Sequence, residues 1–345
     1  MFSSRTVWFG AVAVLFVVIG SCYLSPLRMT LCTSITGHLQ ELFVGIIILC
    51  LVGLNYIQLN VDSEEMCACF QCMAESKDDP WFAERYKNLV PKLLSRQNSE
   101  LSPNTRKWWE RLQGRPTKKN YSAVVETLFS LFPDEEHYSD AGPHRCRTCA
   151  VVGNSGNLKG SHYGPLIDAH DVVIRMNKAP IAGFEKDVGL KTTHHAIYPE
   201  SAVDMDNSTH LVLVPFKILD LEWLISVFTT KHITRTRLAV KNTIQADMDK
   251  VMILHPEFMK YVSEIWLKQK GKYPSTGFIM LVFSLHICDQ VNVFGFGASK
   301  NGNWYHYFDK RYRHHLNTGH HKGSAEYNIT LTLSLKNKIQ MYKGW

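Results

Sequence analysis

From Cys146 onward the chain alternates short apolar runs with amphipathic or polar segments, and this alternation constrains the fold more than any other feature. The apolar runs are CAVVG, DVVIRM, THHAIY, HLVLVPF, KVMILH, IMLVFSLHI and VNVFGFG. Polar or helical segments such as LDLEWLISVF and EFMKYVSEIWLKQ separate them. Strands that are apolar along their whole length are typical of parallel sheets covered on both faces by helices. The sequence therefore predicts an α/β fold with a mostly parallel sheet, including a strand over IMLVFSLHI.

Two uncharged apolar stretches occupy the N-terminus. Residues 6–27 follow Arg5 and include VWFGAVAVLFVVIG, which is long enough to cross a bilayer. Residues 42–61 include LFVGIIILCLVGL but are partly polar. Four interpretations stay open. The first stretch is the sole anchor, or the second is the anchor and Met29 the true start. Alternatively, both span the membrane as a hairpin, or the first is a cleaved signal peptide. In the spanning arrangements, the acidic flank from Asp62 onward places the rest of the chain in the lumen.

Beyond the apolar stretches, the chain is predicted to be a single domain. Residues 1–61 are interpreted as a cytosolic tail, a transmembrane anchor region and a short stem, and residues 62–345 as a luminal catalytic domain. Two short amphipathic segments, WFAERYKNLVPKLL and TRKWWERLQ, precede the strands, and no Pro/Gly/Ser-rich linker divides the domain. Three sequons predict luminal glycosylation at Asn120, Asn207 and Asn328.

Six of the nine cysteines lie beyond the apolar stretches: Cys67, Cys69, Cys72, Cys146, Cys149 and Cys288. An even number of cysteines in an oxidising lumen favours three disulfides. The close spacing of the first three, together with a later Cys-Arg-Thr-Cys, leaves a zinc site as the alternative. A thioredoxin-type redox pair is disfavoured because Cys146-x-x-Cys149 leads into a strand instead of opening a helix.

The charge balance narrows the class of ligand. The formal net charge is +7, with 38 Lys and Arg against 31 Asp and Glu, and the basic residues form no long run. This distribution suits an anionic small ligand or a membrane surface better than a nucleic acid, which calls for a concentrated basic patch.

Two loops have the composition of phosphate or nucleotide sites. The first is Val152-Gly-Asn-Ser-Gly-Asn157, directly after a predicted strand, where α/β folds bind ligands. It matches neither GxGxxG nor a P-loop, and a plain turn explains it as well. The second is Tyr273-Pro-Ser-Thr-Gly277, whose Ser275 would serve equally as an ordinary helix N-cap.

Two other patterns have weaker functional readings. The triplets Asp204-Met-Asp206 and Asp247-Met-Asp249 could hold a divalent cation on a diphosphate, but both have the composition of solvated loops. The C-terminal part is rich in histidines: His306, His314, His315, His320 and His321. No zinc-binding spacing supports a metal cluster there, whereas histidine suits general-base work on a sugar hydroxyl. We interpret His314 and His315 as solvent-exposed loop residues.

Together these segments resemble the animal sialyltransferases. CRTCAVVGNSGNLKG and its continuation to residue 201 resemble the long donor-binding motif of that family, and YPSTGFIMLVFSLHICDQVNVFGFG resembles its shorter second motif. NWYHY and His321-x-x-x-x-Glu326 match its two short C-terminal motifs. The segments NSGNL, RMNKAP, VPFK and DLEW most resemble those of the α2,3-sialyltransferases that act on Galβ1,3GalNAc. The similarity extends from about residue 67 to residue 345.

The resemblance implies a variant GT-A-like Rossmann fold and a single-pass type II protein of the Golgi membrane. It implies transfer of sialic acid from CMP-sialic acid to the 3-hydroxyl of galactose, with inversion, without metal and without a cofactor. The expected partners are CMP-sialic acid, Galβ1,3GalNAc-terminated glycoproteins or glycolipids and the Golgi membrane, with a homodimer left open. The alternative is a non-catalytic Golgi membrane protein that binds glycan or nucleotide on the same fold.

Site residues follow from the same resemblance. His321 would be the general base, and His306 would contact the donor phosphate. The donor-binding residues would be Asn154, Ser155, Asn177, Ser275, Thr276, Gly277 and Gly297, and the acceptor-binding residues would be Gln113 and Tyr273. The implied disulfides are Cys67–Cys72, Cys69–Cys146 and Cys149–Cys288.

The chain departs from the family pattern at two positions in this region. Arg237 stands where the family places a tyrosine near the donor, and His320 replaces an apolar neighbour of the presumed base. A shift of the alignment by one residue would make His320 the candidate base, but the spacing to Glu326 favours His321.

Overall fold

A computed structural model describes residues 67–70, 72–73, 79–112, 119–135, 138–299, 301–310 and 320–344. Several predictions concern residues outside these ranges: both N-terminal apolar stretches, the domain boundary after residue 61, Gln113, His314 and His315. Within the described ranges, no helix has the length and apolar character needed to cross a membrane.

Seven strands form one sheet in the described part of the chain. They are β1 (Thr148–Val152), β2 (Val172–Met176), β3 (His194–Ile197), β4 (His210–Leu213), β5 (Val251–Ile253), β6 (Gln290–Phe294) and β7 (Gln340–Tyr342). Their order is β5-β4-β3-β2-β1-β6-β7, and every neighbouring pair is parallel. The prediction of a mostly parallel sheet in an α/β fold is confirmed.

The helices lie before, between and after the strands. They are α1 (Pro80–Arg85), α2 (Pro103–Glu110), α3 (Tyr121–Leu131), α4 (Gly164–Asp168), α5 (Glu185–Val188), α6 (Ile218–Phe228), α7 (Pro256–Tyr261), α8 (Thr276–Ile287) and α9 (Gly323–Leu335). A π-helical turn, Val262–Trp266, continues α7. The amphipathic segment WFAERYKNLVPKLL is helical only over α1, which ends where Tyr86 adopts an extended conformation.

The order of the strands places a topological switch between β1 and β6. Strands β1 to β5 are added successively on one side of β1, and the chain then returns to add β6 on the other side. The loops that follow β1 and β6 therefore both lie at the carboxyl edge of the sheet, beside this switch point. Ligands of open α/β sheets bind in the crevice at such a switch point.

The prediction of a strand over IMLVFSLHI is wrong: these residues form most of α8. Ten of the twelve residues of α8 are buried, so the helix is apolar around its whole circumference and its sequence lacks an amphipathic period. A continuous apolar run without that period fits a buried strand as well as a buried helix. The side chain of Ser275 accepts a hydrogen bond from the Phe278 amide, 3.1 Å away, and so caps the helix.

The six cysteines in the described part of the chain form disulfides in the pairing that the resemblance implied. Cys67 is bonded to Cys72, Cys69 to Cys146, and Cys149 to Cys288. The third bond joins β1 to the residue that follows α8, and it therefore fixes this helix against the centre of the sheet. The zinc alternative is wrong for these residues, because a disulfide sulfur cannot act as a thiolate ligand.

Candidate active site

The loops after β1 and β6 meet in the crevice with almost no space between their backbones. The Gly153 amide donates to the Phe294 carbonyl at 2.8 Å, and the Ser155 amide donates to the Gly295 carbonyl at 3.0 Å. A Cβ atom at Gly153 would lie 2.4 Å from the carbonyl oxygen of Gly295. Glycine is therefore required at position 153 for this close approach.

Side chains of the β1 loop tie the two loops together. The Ser155 hydroxyl donates to the Gly297 carbonyl at 2.6 Å, and the Asn157 amide nitrogen donates to the Phe296 carbonyl at 2.8 Å. Gly297 has φ +91°, and a Cβ there would lie 2.5 Å from the Tyr327 ring. Ser155 and Gly297, both predicted to bind the donor, therefore contact each other and shape one side of the crevice.

Three asparagines at this edge have side-chain oxygens that accept no hydrogen bond from the described residues. The Oδ1 atoms of Asn154, Asn157 and Asn177 are buried and have no hydrogen-bond partner among the described residues. The amide nitrogen of Asn154 donates to the Met176 carbonyl at 3.0 Å, which turns its oxygen the other way. Buried acceptors without a partner are rare and call for a ligand or water. These oxygens suit the amino and hydroxyl groups of a nucleoside.

The chain around His306 pairs with the β1 loop. Ser155 and His306 form an antiparallel bridge, and the Tyr307 amide donates to the Asn154 carbonyl at 3.0 Å. The His306 side chain is 57% exposed, and its Nδ1 lies 3.1 Å from Oδ2 of Asp309. The structure therefore brings His306 to the predicted donor loop, with a carboxylate that fixes its ring.

The N-terminus of α8 lies between the donor loops and a second cavity. A Cβ at Gly277 would lie 3.3 Å from the sulfur of Met176 and 3.7 Å from the Phe296 ring, on the side of the loops. Thr276, one residue earlier, lines the second cavity. Both were predicted to bind the donor, and the structure places them at the junction of the two spaces.

The second cavity measures about 120 Å³ and contains the candidate base. Its lining residues are Tyr198, Glu200, Phe216, Arg237, Leu238, Tyr273, Thr276 and His321. Nδ1 of His321 lies 3.0 Å from the carbonyl oxygen of Tyr273. Because a carbonyl can only accept, Nδ1 is the donor, and the neutral ring keeps its lone pair on Nε2. His321 therefore has the tautomer of a general base.

Arg237 enters the same cavity from a separate segment. Its Nη2 lies 3.4 Å from Nε2 of His320, and its backbone amide donates to Oε1 of Glu200 at 3.1 Å. Burial alone would raise the pKa of Glu200, but the hydrogen bond from Thr236 and the charge of Lys217 outweigh it and hold this pKa below its ordinary value. An ionised Glu200 thus anchors the backbone that presents Arg237.

The remaining predictions concern the two Asp-x-Asp triplets, Tyr273 and Gln113. The Asp-x-Asp triplets lie in hydrogen-bonded loops: Asp204 pairs with Lys241 at 2.6 Å, and Asp247 with Lys250 at 3.0 Å. Tyr273 is buried in the wall of the cavity, with its ring centroid 4.9 Å from that of His321. Gln113 lies outside the described residues, so its role as an acceptor contact stays a prediction.

The three sequon asparagines all lie at the surface. Asn120 caps α3 through its side-chain oxygen, which leaves its amide nitrogen outside that interaction. Asn207 lies in a turn before β4, and Asn328 is exposed on α9. Their accessibility agrees with the prediction of glycosylation, which itself stays untested.

Sequence reasoning did not single out three residues that help to build the site. Asn157 carries one of the orphaned oxygens, and its position in the Gly-Asn-Ser loop was the available signal. Asp309 and Glu200 fix His306 and Arg237, but each is an isolated carboxylate in a polar segment. No local pattern distinguishes such residues from solvated surface acids.

Comparison with known proteins agrees with this fold. The model described as Glycosyltransferase family 29 (sialyltransferase) matches residues 93–338. The chain therefore belongs to glycosyltransferase family 29, and it is an enzyme of the sialyltransferase type.

Individual relatives share most of their length with this chain. CMP-N-acetylneuraminate-beta-galactosamide-alpha-2,3-sialyltransferase 1 of Mus musculus is 46% identical over 284 residues, 81% of this chain and 83% of the mouse protein. The Homo sapiens protein of the same name is 45% identical over 284 residues, again 81% of this chain and 83% of the relative.

The fold agrees equally with solved structures. "Crystal Structure of a Mammalian Sialyltransferase in complex with Gal-beta-1-3GalNAc-ortho-nitrophenol" matches with a TM-score of 0.76 at 45% identity and covers 81% of this chain and 100% of that one. "Crystal Structure of a Mammalian Sialyltransferase" matches with a TM-score of 0.77 at 46% identity, over 81% of this chain and 99% of that one.

Proposed function

We propose that the enzyme transfers sialic acid from CMP-sialic acid to the 3-hydroxyl of the terminal galactose in Galβ1,3GalNAc of glycoproteins or glycolipids. The observation that carries the proposal is the hydrogen bond from Nδ1 of His321 to the Tyr273 carbonyl, in a cavity that adjoins the donor loops. The names of the relatives and the disaccharide in the matched crystal structure support this donor, linkage and acceptor.

The proposed reaction is a single displacement. Nε2 of His321 takes the proton of the galactose 3-hydroxyl while that oxygen bonds to the anomeric carbon of sialic acid. The bond from this carbon to the phosphate oxygen of CMP breaks, and CMP leaves with the electron pair. One displacement inverts the anomeric centre, and no protein nucleophile is required. A positioned base contributes a factor of about 10²–10⁴ to the rate.

The donor site is proposed to act through hydrogen bonds and positive charge. The orphaned oxygens of Asn154, Asn157 and Asn177 would accept from the amino group of cytosine and the hydroxyls of ribose. The leaving phosphate would lie near His306 and the N-terminus of α8, whose dipole favours an anion. Negative charge that develops on CMP is thereby stabilised in the transition state.

We propose that this reaction needs no metal or other cofactor. The groups offered for the phosphate are His306, Arg237 and the amides at the start of α8, and these are sufficient in kind to stabilise the leaving group. The proposed location is the Golgi membrane, with a single-pass type II topology and a luminal catalytic domain. Three disulfides support an oxidising compartment.

Transfer by the purified full chain tests the proposal. The chain, expressed in a cell that forms disulfides, is incubated with CMP-sialic acid and an aryl Galβ1,3GalNAc acceptor, with and without EDTA. We expect EDTA-insensitive transfer, and a product whose linkage is assigned as α2,3 by NMR. Galβ1,4GlcNAc serves as the comparison acceptor. A folded chain that binds CMP but transfers to neither acceptor would overturn the proposal in favour of a binding protein.

A further inference from the structure

A groove of about 520 Å³ lies between α2 and the segment that runs from α7 to the turn before Tyr273. Its lining residues are Asn104, Lys107, Trp108, Arg111, Leu112, Lys260, Glu264 and Lys272. The two helices are joined by a hydrogen bond from the hydroxyl of Thr105 to the carboxylate of Glu257. The groove is therefore a concave feature between packed elements, distinct from the cavity that contains His321.

The groove is strongly basic. Four cations line it, and its one carboxylate, Glu264, is paired with Lys260 at 2.8 Å. The other three cations, Lys107, Arg111 and Lys272, are exposed and form no ion pair with any described residue. Concentrated positive charge without compensating carboxylates attracts an anionic ligand.

The helical spacing of α2 combines charge with apolar surface. Lys107 and Arg111 are four residues apart, as are Trp108 and Leu112, so each pair shares one face of the helix and the turn that continues it. Trp108 is half-buried in the groove. A wall of indole and aliphatic carbon beside cations suits an amphipathic chain better than a free inorganic anion.

One end of the groove adjoins the acceptor side of the candidate active site. The backbone amide of Lys272 donates to the His320 carbonyl at 2.9 Å, and Gly271 forms an antiparallel bridge with His321. Lys272 also directly precedes Tyr273, which lines the cavity of the base. A ligand in the groove would therefore extend from the position of the acceptor sugar.

We infer that this groove binds the acidic polypeptide that flanks the glycan in a glycoprotein acceptor. The inference rests on the proposed function and names the class of acceptor that this enzyme prefers. Lys107, Arg111 and Lys272 would pair with Asp and Glu side chains near the glycosylated residue, while Trp108 covers their apolar neighbours. A flat bilayer would reach the rim of a concave groove but not its floor, which favours a peptide over anionic lipid headgroups.

The test compares acceptors that carry the same glycan. Galβ1,3GalNAc-threonine glycopeptides are made with flanking Glu residues or with Gln in the same positions, and the aryl disaccharide serves as the acceptor without peptide. We expect the full chain to have a roughly tenfold higher kcat/KM for the Glu peptide than for the Gln peptide. This preference should decline with added NaCl, because salt screens exposed charges.

Variants test whether the preference for the Glu peptide depends on the cations of the groove. The double substitution Lys107→Glu and Arg111→Glu should abolish the preference for the Glu peptide and leave kcat/KM for the aryl disaccharide within about twofold of the wild type. Lys186→Glu, on the exposed surface of α5, is the control for a charge reversal outside the groove and should keep the preference. The aryl disaccharide also reports folding, since a misfolded variant would lose activity on every acceptor.

The outcomes separate the inference from the proposed function. Equal kcat/KM for the Glu and Gln peptides, or a preference that survives the double variant, would overturn the inference while transfer itself stands. Absence of transfer to every acceptor would instead contradict the proposed function. A Galβ1,3GalNAc glycolipid in phosphatidylcholine vesicles, with or without phosphatidylserine, tests the membrane alternative. Stimulation by phosphatidylserine that the double variant loses, without any effect on peptides, would overturn the assignment to polypeptide.

Discussion

The carboxylate of Glu326 accepts two hydrogen bonds from Ser275, which lies 51 positions earlier in the chain: one from the backbone amide at 2.8 Å and one from the hydroxyl at 2.5 Å. Through them α9 holds the residue that caps α8. The pKa of the Glu326 carboxyl is raised, because the effect of burial outweighs the hydrogen bonds from Ser275 and the charge of His321, which act to lower it. The loop before α8 and the segment that follows His321 are thereby joined next to the base.

This pair should behave as one unit in stability. Glu326→Gln removes an acceptor oxygen, and Ser275→Ala removes the cap and the hydroxyl donor, so each variant should lower the free energy of unfolding by about 1–3 kcal/mol. In the double variant the losses should fall short of additive by about 0.5–3 kcal/mol. Urea unfolding of the four proteins measures this coupling. Strict additivity would show that the contact contributes nothing of its own.

The closeness of the β1 and β6 loops predicts the effect of one methyl group. In Gly153→Ala the new Cβ would meet the Gly295 carbonyl at 2.4 Å, so the loops must separate. We expect a loss of about 1–3 kcal/mol in stability and weaker binding of CMP. Gly142→Ala is the control, because no atom lies within 4 Å of its Cβ position. Thermal unfolding and calorimetric titration with CMP make the comparison, and equal behaviour of the two variants would contradict the packing argument.

Buried neutral histidines predict that acid destabilises the fold. Burial lowers the pKa of His195 to about 4, although the hydrogen bond to the Asn177 carbonyl acts in the opposite direction. Burial also lowers the pKa of His286, to about 3. Between the ordinary value of 6.5 and these values, the unfolded chain binds protons that the folded chain does not. The free energy of unfolding therefore decreases as the pH is lowered through this window, by about 2 kcal/mol per histidine near pH 5. Asp220, whose pKa burial raises to about 6, opposes this trend.

The acid effect is measured as the drop in Tm between pH 7 and pH 5. His286→Phe keeps an aromatic ring where the histidine stacks on Tyr86, with centroids 4.5 Å apart, and it removes one titrating group. The drop in Tm should be smaller in this variant than in the wild type. A Tm that is constant or rises on acidification would show that the buried histidines do not control stability.

Arg237 should matter to catalysis more than its neighbours in the chain. Its guanidinium lines the cavity of the base, and loss of a hydrogen bond from a charged group costs about 1.5–3 kcal/mol. We expect Arg237→Ala to lower kcat/KM by about 10–100-fold, with Arg237→Lys in between, because a lysine keeps the charge but not the planar fork. Arg235→Ala, exposed and outside the lining of the cavity, is the control. Equal activity of Arg235→Ala and Arg237→Ala would exclude this role.

Burial of whole segments explains which parts of the fold the sequence predicted. Strands β1 to β6 each coincide with an apolar run, because both faces of a parallel sheet are covered. Burial also explains the wrong prediction of a strand at α8, because a completely buried helix shows no amphipathic period. Strand β7 was missed, because Gln340–Tyr342 is too short to show a pattern.

The candidate site was predictable where residues belong to a motif, and not where they only support one. Asn154, Ser155 and His306 belong to recognisable segments, and the structure brings them together. Glu200 contacts the amide of Arg237, 37 positions later, and such a contact exists only once the chain is folded. No local pattern contains it.

The role of His321 is the central claim, and paired histidine variants test it most directly. The full chain, His321→Ala and His320→Ala are compared for transfer from CMP-sialic acid to aryl Galβ1,3GalNAc, and for binding of CMP. The account predicts that His321→Ala loses a factor of about 10²–10⁴ in rate while CMP still binds, and that His320→Ala keeps most of the activity. Retained activity in His321→Ala, with the loss in His320→Ala instead, would contradict it.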